Sequence, residues 1–487
     1  MQGGDQAALG LQRFDQEQGE IDRAWNWLRM QPAGSSPHID NLLVDYANAT
    51  INIGDLRYRK SNERIPQLEA ALAAARRVGR NAAEGGLLGG LGNAYAALGD
   101  ARSAVTYHEQ HLAVARAIGD RHGEGSALGN LGLAYAALGN AQQARACYEQ
   151  QLVVAREIGN RKGEGSALGN LGLINLDLRD SQRAISYSEQ ALTVMRELGD
   201  RRGEGSALGN LGLAYAALND PQKAIFYMEQ TLTVMRELGD RRGEGNALGN
   251  LGNAYEDLQN FSQAITYHRQ ALEISREIGD RRAEGQDLGS LGVAYAALSD
   301  IPRALSYFEL WLEITREIAD RRGEEGALNN LARTFLEQGN FQQAIAHAER
   351  ALEIAQGIND RSGEGNALSI LGVAHGAVGD AQRTITYHEQ LLEVTRELSD
   401  RAGEATVLGT LGRVYAAIGD SRQAILYFER QLEITREIGD RRGEGRALHS
   451  LSSVYQALGE EQQAFTYREQ VLALAREIGD KRSDGPQ

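Results

Sequence analysis

The chain has 487 residues with 51 basic and 66 acidic side chains, and its formal charge of −15 argues against a general nucleic-acid binder. Glycine is abundant (57) and proline scarce (6), which excludes a proline-rich linker and a collagen-like repeat, while 42% hydrophobic content excludes a disordered chain. The single cysteine, Cys147, excludes a disulfide scaffold and a cysteine-built metal cluster. In chain order, the opening MQGGDQAALG has neither a basic n-region nor an apolar h-region, so no signal peptide is expected. No apolar run approaches about 18 residues, so no membrane span is expected and the chain reads as cytoplasmic. Residues 11–30 form an amphipathic helix whose Trp25 and Trp27 are expected to pack into a cap core. QPAGSSPH at 31–38 reads as a loop, 41–55 as a degenerate first helix of a hairpin, and 61–80 as a second helix. Residues 1–80 are thus expected to form an atypical N-terminal helical cap with a degenerate repeat.

From residue 81 one period organises the chain. GEGSALGNLGLAYAALGN at 123–140 recurs as GEGSALGNLGLINLDLRD at 163–180 and GEGSALGNLGLAYAALND at 203–220. The period is 40 residues, without insertion or deletion, over ten units from 81 to 480. Leucine fills the eighth, eleventh and thirty-second position of every unit, as in Leu128, Leu131 and Leu152. Leu128, Leu131 and Tyr135 lie on one face of a helix over positions 1–18, and Ala144, Tyr148, Leu152 and Ala155 on one face of a second over positions 21–38. Pairs such as Gly119-Asp120 and Gly139-Asn140 separate the helices: glycine supplies the left-handed residue past a helix end, and Asp or Asn caps the next start. Pro221 falls at a first helical position, where its missing N–H costs nothing. The expected fold is all-α, an α-solenoid of helical hairpins.

The pattern Leu128, Leu131-Gly132, Tyr135, Gly139, Ala144, Tyr148, Leu152 resembles the tetratricopeptide repeat (TPR), whose usual period is 34 residues. The 40-residue variant resembles the repeats of the LGN/Pins adaptor family and TPR arrays of bacterial STAND-type NTPase regulators. The resemblance implies a right-handed superhelix with a concave groove that binds a peptide or partner segment. It also implies, as alternatives, a ligand-sensing arm of a STAND-type regulator whose NTPase lies outside this chain, or a self-assembling solenoid. KRSDG at 481–485 aligns with the RRGEG that opens a unit, so 481–487 reads as the start of a truncated further repeat. Phe465 and Leu472 are then expected to be covered by more chain or by another copy.

On the first helix, positions 5, 9, 12 and 16 (Gly125, Gly129, Gly132, Ala136) make a stripe of small residues that lets another helix come close. Glycine falls on positions 5, 9 and 12 in 23 cases, so its excess reads as a packing rule rather than flexibility. Positions 2, 6, 10, 13 and 17 form a separate face, which TPR-like packing would turn to the groove. Position 10 carries Asn130, Asn170, Asn210, Asn250 and Asn330, whose amides suit the backbone of an extended peptide. Position 2 carries Arg202, Arg242, Arg282 and Arg322 (and Arg442), forks suited to carboxylates. Position 13 carries Leu133, Leu173 and Leu213, which suit an apolar ligand side chain. The expected partner is a protein or peptide with acidic and apolar residues. For each set a plainer reading stands beside this one: a solvated face copied by duplication for Asn, local ion pairs for Arg, inter-repeat packing for Leu.

Enzyme chemistry and cofactors are not expected. GEGSALGNLG lacks the phosphate-loop G-x-x-x-x-G-K-[ST] order and lies inside a helix. His108, His268 and His388 recur at one unit position, a packing signature rather than a metal site. Cys147 stands where most units have tyrosine, which makes it a core thiol.

Overall fold

The computed structural model describes residues 2–32, 34, 36–50 and 63–483, and among these every regular element is a helix. The chain divides into two compact units, Met1–Leu258 and Gln259–Gln487. The first contains helices Gln2–Met30, Pro37–Ala49 and Ile65–Val78, then hairpins from Asn81–Ala97 and Ala101–Ile118 onward to Arg241–Asp257. The second runs from Phe261–Glu277 through hairpins such as Arg281–Ala297 with Ile301–Glu317, ending in Glu461–Ser483. In each 40-residue repeat the first helix takes positions 1–17, and in all but the last the second takes positions 21–37 or 21–38, close to the spans the periodicity predicts.

Capping follows the expected chemistry. The Asp120 carboxylate accepts a 2.9 Å hydrogen bond from the Gly123 N–H, and Gly119 before it is left-handed at φ 73°. Where another residue replaces that glycine the backbone keeps the same conformation, as at Ala319 (φ 54°), because the preceding carbonyls still need the turn. Gly479-Asp480 behaves differently: the last helix continues through both to Ser483, so the repeat start predicted at 481 is not set off by a break there. Residues 484–487 of that prediction lie outside the described residues.

The small-residue stripe does bring two helices together, and they are the two of one hairpin. A Cβ on Gly212 would lie 2.6 Å from Met228 Cε, and one on Gly412 2.6 Å from Phe428 Cε1, so position 12 makes room for the side chain at position 28 of its own repeat. Of the two repeats without that glycine, one follows the rule directly: where position 12 is Ala332, position 28 is Ala348, and both are fully buried. The leucines of positions 8 and 11 fill the core beside this contact; Leu128, Leu131, Leu168 and Leu171 are all buried. Rings at positions 15 and 27 stack, with centroids 5.3 Å apart for Tyr95–Tyr107 and 5.4 Å for Tyr215–Tyr227, so these tyrosines serve the packing within a hairpin.

The N-terminal region departs from expectation in two places. Trp25 is buried and stacks on Tyr46 at 5.5 Å, but Trp27 is 53% exposed, because the two alternate residues point to different sides of one helix. The second helix begins at Pro37 rather than 41: Ser36 Oγ accepts the His38 N–H at 3.1 Å and Pro37 sits in the first turn. Residues 51–55 and 61–62 of the predicted helices lie outside the described residues.

Candidate functional site

Within each unit, most first helices of successive repeats touch one another, whereas successive second helices make little or no contact. The first helices therefore line the inner side. Their positions 2, 6 and 13 face solvent, as Arg202, Ser206 and Leu133 show, with position 10 half-buried between them. The structure thus brings the sequence-predicted residues onto one face within each unit. Asn130, Asn170, Asn210 and Asn250 share it with Arg202, Arg242, Leu133, Leu173 and Leu213 in the first unit, and Asn330 shares it with Arg282 and Arg322 in the second.

Their local partners differ. Asn210 Nδ2 donates to the Gly169 carbonyl of the preceding first helix at 3.0 Å, so this amide ties neighbouring repeats. Asn330 Nδ2 donates to the Gly326 carbonyl of its own helix at 2.9 Å. Both keep the amide oxygen as an acceptor. Leu133 and Leu173 are about half exposed (55% and 48%), and Leu213 is half-buried. The arginines at position 2 reach the capping aspartate of the next repeat: Arg202 to Asp240 at 3.3 Å, Arg282 to Asp320 at 3.5 Å and Arg322 to Asp360 at 3.0 Å. Each has five N–H donors and shares them with a single carboxylate, which leaves donors for another.

A second charged system lies deeper, and sequence reasoning passed over it. Buried Glu164 accepts from Arg156 Nε of the preceding second helix at 2.9 Å and from Arg161 at the start of its own helix at 2.5 Å. The other arm of Arg161 bonds Glu197 on its own second helix. The same ladder recurs at Glu124, Glu204 and Glu404, and at Glu364 the preceding position is Gln356, which donates at 3.1 Å instead. Burial pushes the Glu164 carboxyl up, but the bonds from Arg156 and Arg161 outweigh it and hold it below the usual carboxylate range. The signal was available: glutamate occupies the fourth position of all ten repeats, as regular as the core leucines.

The remaining chemistry-bearing residues are placed in the packing. GEGSALGNLG is helical throughout at Arg161–Asp177. His108, His268 and His388 are buried, and burial pushes His108 down to about 4. Cys147 is buried, its thiol pushed up to about 11 by loss of solvent. Among the described residues no group of three or more His, Cys, Asp or Glu could hold a metal ion, and no helix is long and apolar enough to cross a membrane.

Profiles of the tetratricopeptide repeat match residues 123–197, 164–237, 243–317, 288–357, 323–383 and 363–437, and a second such profile matches 87–121 and 447–482. The chain belongs to the tetratricopeptide repeat family. No curated protein matches it in sequence. Among solved structures, it is similar to the signal transduction ATPase with numerous domains (STAND) with a tetratricopeptide repeat sensor from Pyrococcus horikoshii. That likeness has 14% identity and a TM-score of 0.55, covering 75% of this chain and 55% of that one. It is also similar to the apo quorum sensor NprR from B. thuringiensis (16% identity, TM-score 0.49, covering 74% of this chain and 99% of that one). BtubC from P. vanneervenii matches at 22% identity and a TM-score of 0.42, covering 45% of this chain and 92% of that one. At 14% identity the likeness to the P. horikoshii protein supports the solenoid fold and nothing finer. In tetratricopeptide terms, the face of positions 2, 6, 10, 13 and 17 is the inner wall of each unit, and the glutamate ladder lies behind it.

Proposed function

We propose that this tetratricopeptide protein is a binding scaffold whose first-helix faces hold an extended segment of a partner protein. The observation that carries the reading is the inner wall itself. Successive first helices crowd together there while exposing the same positions, so amide, apolar and basic side chains recur in rows. Asn130, Asn170 and Asn250 would take the segment's backbone, Leu133 and Leu173 its apolar side chains, and Arg202, Arg282 and Arg322 its carboxylates, using donors left over from their aspartate pairs. Exposed leucine in a row is otherwise a solubility liability, which favours a covered surface in use. A second reading, the sensor arm of a STAND-type regulator, draws on the P. horikoshii protein, whose repeats are described as its sensor. It uses the same face.

The test is capture from native lysate by the full chain, compared with a variant carrying Asn170→Ala, Leu133→Ser and Leu173→Ser. These changes leave the Asn210 bond and the arginine–aspartate pairs intact. Loss of captured partners by about tenfold or more is expected, the size of a hot-spot deletion, with unchanged thermal unfolding. Equal capture of the same partners by both proteins would contradict the placement of the site.

A further inference from the structure

We infer that the crevice between the repeats at 281–320 and 321–360 is a specificity-determining subsite of this inner wall, taking a large apolar side chain that stands beside a carboxylate in the partner segment. The inference rests on the groove reading above and names the chemistry at one point along it.

Position 31 forms the floor of the crevice between one repeat and the next. It is Ala at 191, 271 and 351, Gln at 151 and 431, and Trp only at 311. The indole of Trp311 lies where neighbouring residues have lost their side chains. A Cβ on Gly289 would lie 2.9 Å from its Cε3, and one on Gly326 2.9 Å from its Cη2. Gly326 occupies position 6, which is Ser or Asn in five repeats, and the missing side chain there leaves space for the indole. That repeat reads GEEG where three others read GEGS, and Glu325 stands at a position that is glycine in eight of the ten repeats. Glu325 is buried, and loss of solvent pushes its carboxyl up. It is met by Asn329, which also donates to the Gly363 carbonyl at 3.4 Å. In a chain copied repeat by repeat, a buried carboxylate in place of glycine is a standing cost. The indole beside it is set across the crevice, with room above.

That room is measurable. The crevice has a volume of about 400 Å³, against about 220 Å³ for the equivalent one at His122, Gln151 and Lys162. Trp311 and Ile314 give it an apolar wall, and Gln286 offers an amide to a passing backbone. Charge completes the description. The lining holds Arg281, Arg282 and Arg322 against one carboxylate, Asp320, although the whole chain is strongly acidic. Arg281 is engaged by Glu284 and Glu317, whereas Arg282 and Arg322 each face one aspartate and remain mostly exposed. An indole floor between two guanidinium groups fits an apolar side chain flanked by acid.

The test uses the full chain and a fluorescein-labelled peptide of glycine and serine carrying phenylalanine between two glutamates. Two companions replace the phenylalanine with serine or the glutamates with lysines. The wild-type chain is expected to bind the first peptide about tenfold more tightly than either companion, in fluorescence anisotropy. Trp311→Leu should collapse the phenylalanine-over-serine preference to under about threefold, the loss expected of a removed aromatic anchor. Leucine already fills this position at Leu391, so the hairpin accommodates it. Arg282→Gln with Arg322→Gln should collapse the glutamate-over-lysine preference while sparing the other. Absence of discrimination by the wild-type chain, absence of binding, or full discrimination by Trp311→Leu would each overturn the subsite. So would light scattering that shows self-association abolished by Trp311→Leu, since a second copy would then be the occupant. If lysate partners are lost with the Asn170, Leu133 and Leu173 variant yet kept by Trp311→Leu, the groove reading stands and the subsite alone fails.

Discussion

Gly412→Val is expected to pry open its own hairpin, at a cost of about 2–3 kcal/mol or more, because overpacking of a close-packed contact is relieved only by moving a helix or a ring off its rotamer. The reason is local: the added side chain meets the Phe428 ring, whose Cε1 lies 2.6 Å from where a Cβ would stand. Alanine is the sharper probe. Gly412→Ala gains up to about 1 kcal/mol of helix propensity, so a destabilised variant would show that the steric term wins. Phe428→Ala alone should cost about 3–5 kcal/mol through its cavity. The double variant recreates the Ala332–Ala348 pair and should cost less than the sum by at least about 1 kcal/mol, the coupling expected of residues in contact. Hydrogen exchange of Arg401–Ala417 and Ser421–Glu437 reads these effects locally, which suits a repeat array better than a single unfolding midpoint. Additive costs would mean the glycine and the ring do not share the space assigned to them.

The second large effect is the response to acid. Glu124, Glu164, Glu204, Glu244, Glu284, Glu324, Glu404 and Glu444 are all desolvated, yet their arginine partners hold each below the ordinary carboxylate value. A carboxylate lowered in the folded state contributes stability that is complete above its unfolded pKa, about 4.3 for glutamate, and is lost as pH falls through the lower folded value. Buried His108, held at about 4, acts over an earlier window: its contribution is complete above the unfolded value of about 6.5 and drains away between there and 4. Asp287 opposes the trend. Burial pushes it up to about 6 despite its 2.9 Å bond from Ser275 Oγ, so protonation there relieves a strain present at neutral pH. The melting temperature should therefore be level from pH 8 to about 6.5, decline gently to about 4.5 and fall steeply below it. Glu164→Gln should cost about 1–3 kcal/mol at pH 7, reduced from the buried-pair range because Arg156 and Arg161 are half exposed, and should lessen the steep limb. A melting temperature unchanged from pH 7 to 3.5 would contradict the ladder.

Most of the fold was legible because duplication repeats its own evidence. Leu128, Leu131 and Leu152 and their copies announced the core, and Gly-Asp pairs announced the breaks. The partner of the glycine stripe was harder to read, since position 12 is small for the sake of position 28, and the residues there (Tyr148, Ser188, Met228, Phe308, Phe428) share no chemistry, only a direction. The ion-pair ladder was missed because charge on a helix surface reads as solvated, and nothing in Arg161 or Glu164 taken singly shows that three helix ends converge on them. The position-2 arginines carried two readings, a ligand's carboxylates or local ion pairs, and Arg202, Arg282 and Arg322 do pair locally, with the aspartates that cap the next repeat. Trp311 drew no attention in the sequence, where a tryptophan in an apolar register looks like core; only its glycine surroundings set it apart.

The claim that the first-helix face receives the partner is tested most directly by photo-crosslinking from two positions of matched exposure. A benzophenone side chain would replace Leu173, 48% exposed on a first helix, or Phe226, 58% exposed on a second. In native lysate, crosslinks to a partner are expected from position 173 and not from 226. Crosslinks from 226 with none from 173 would contradict the account.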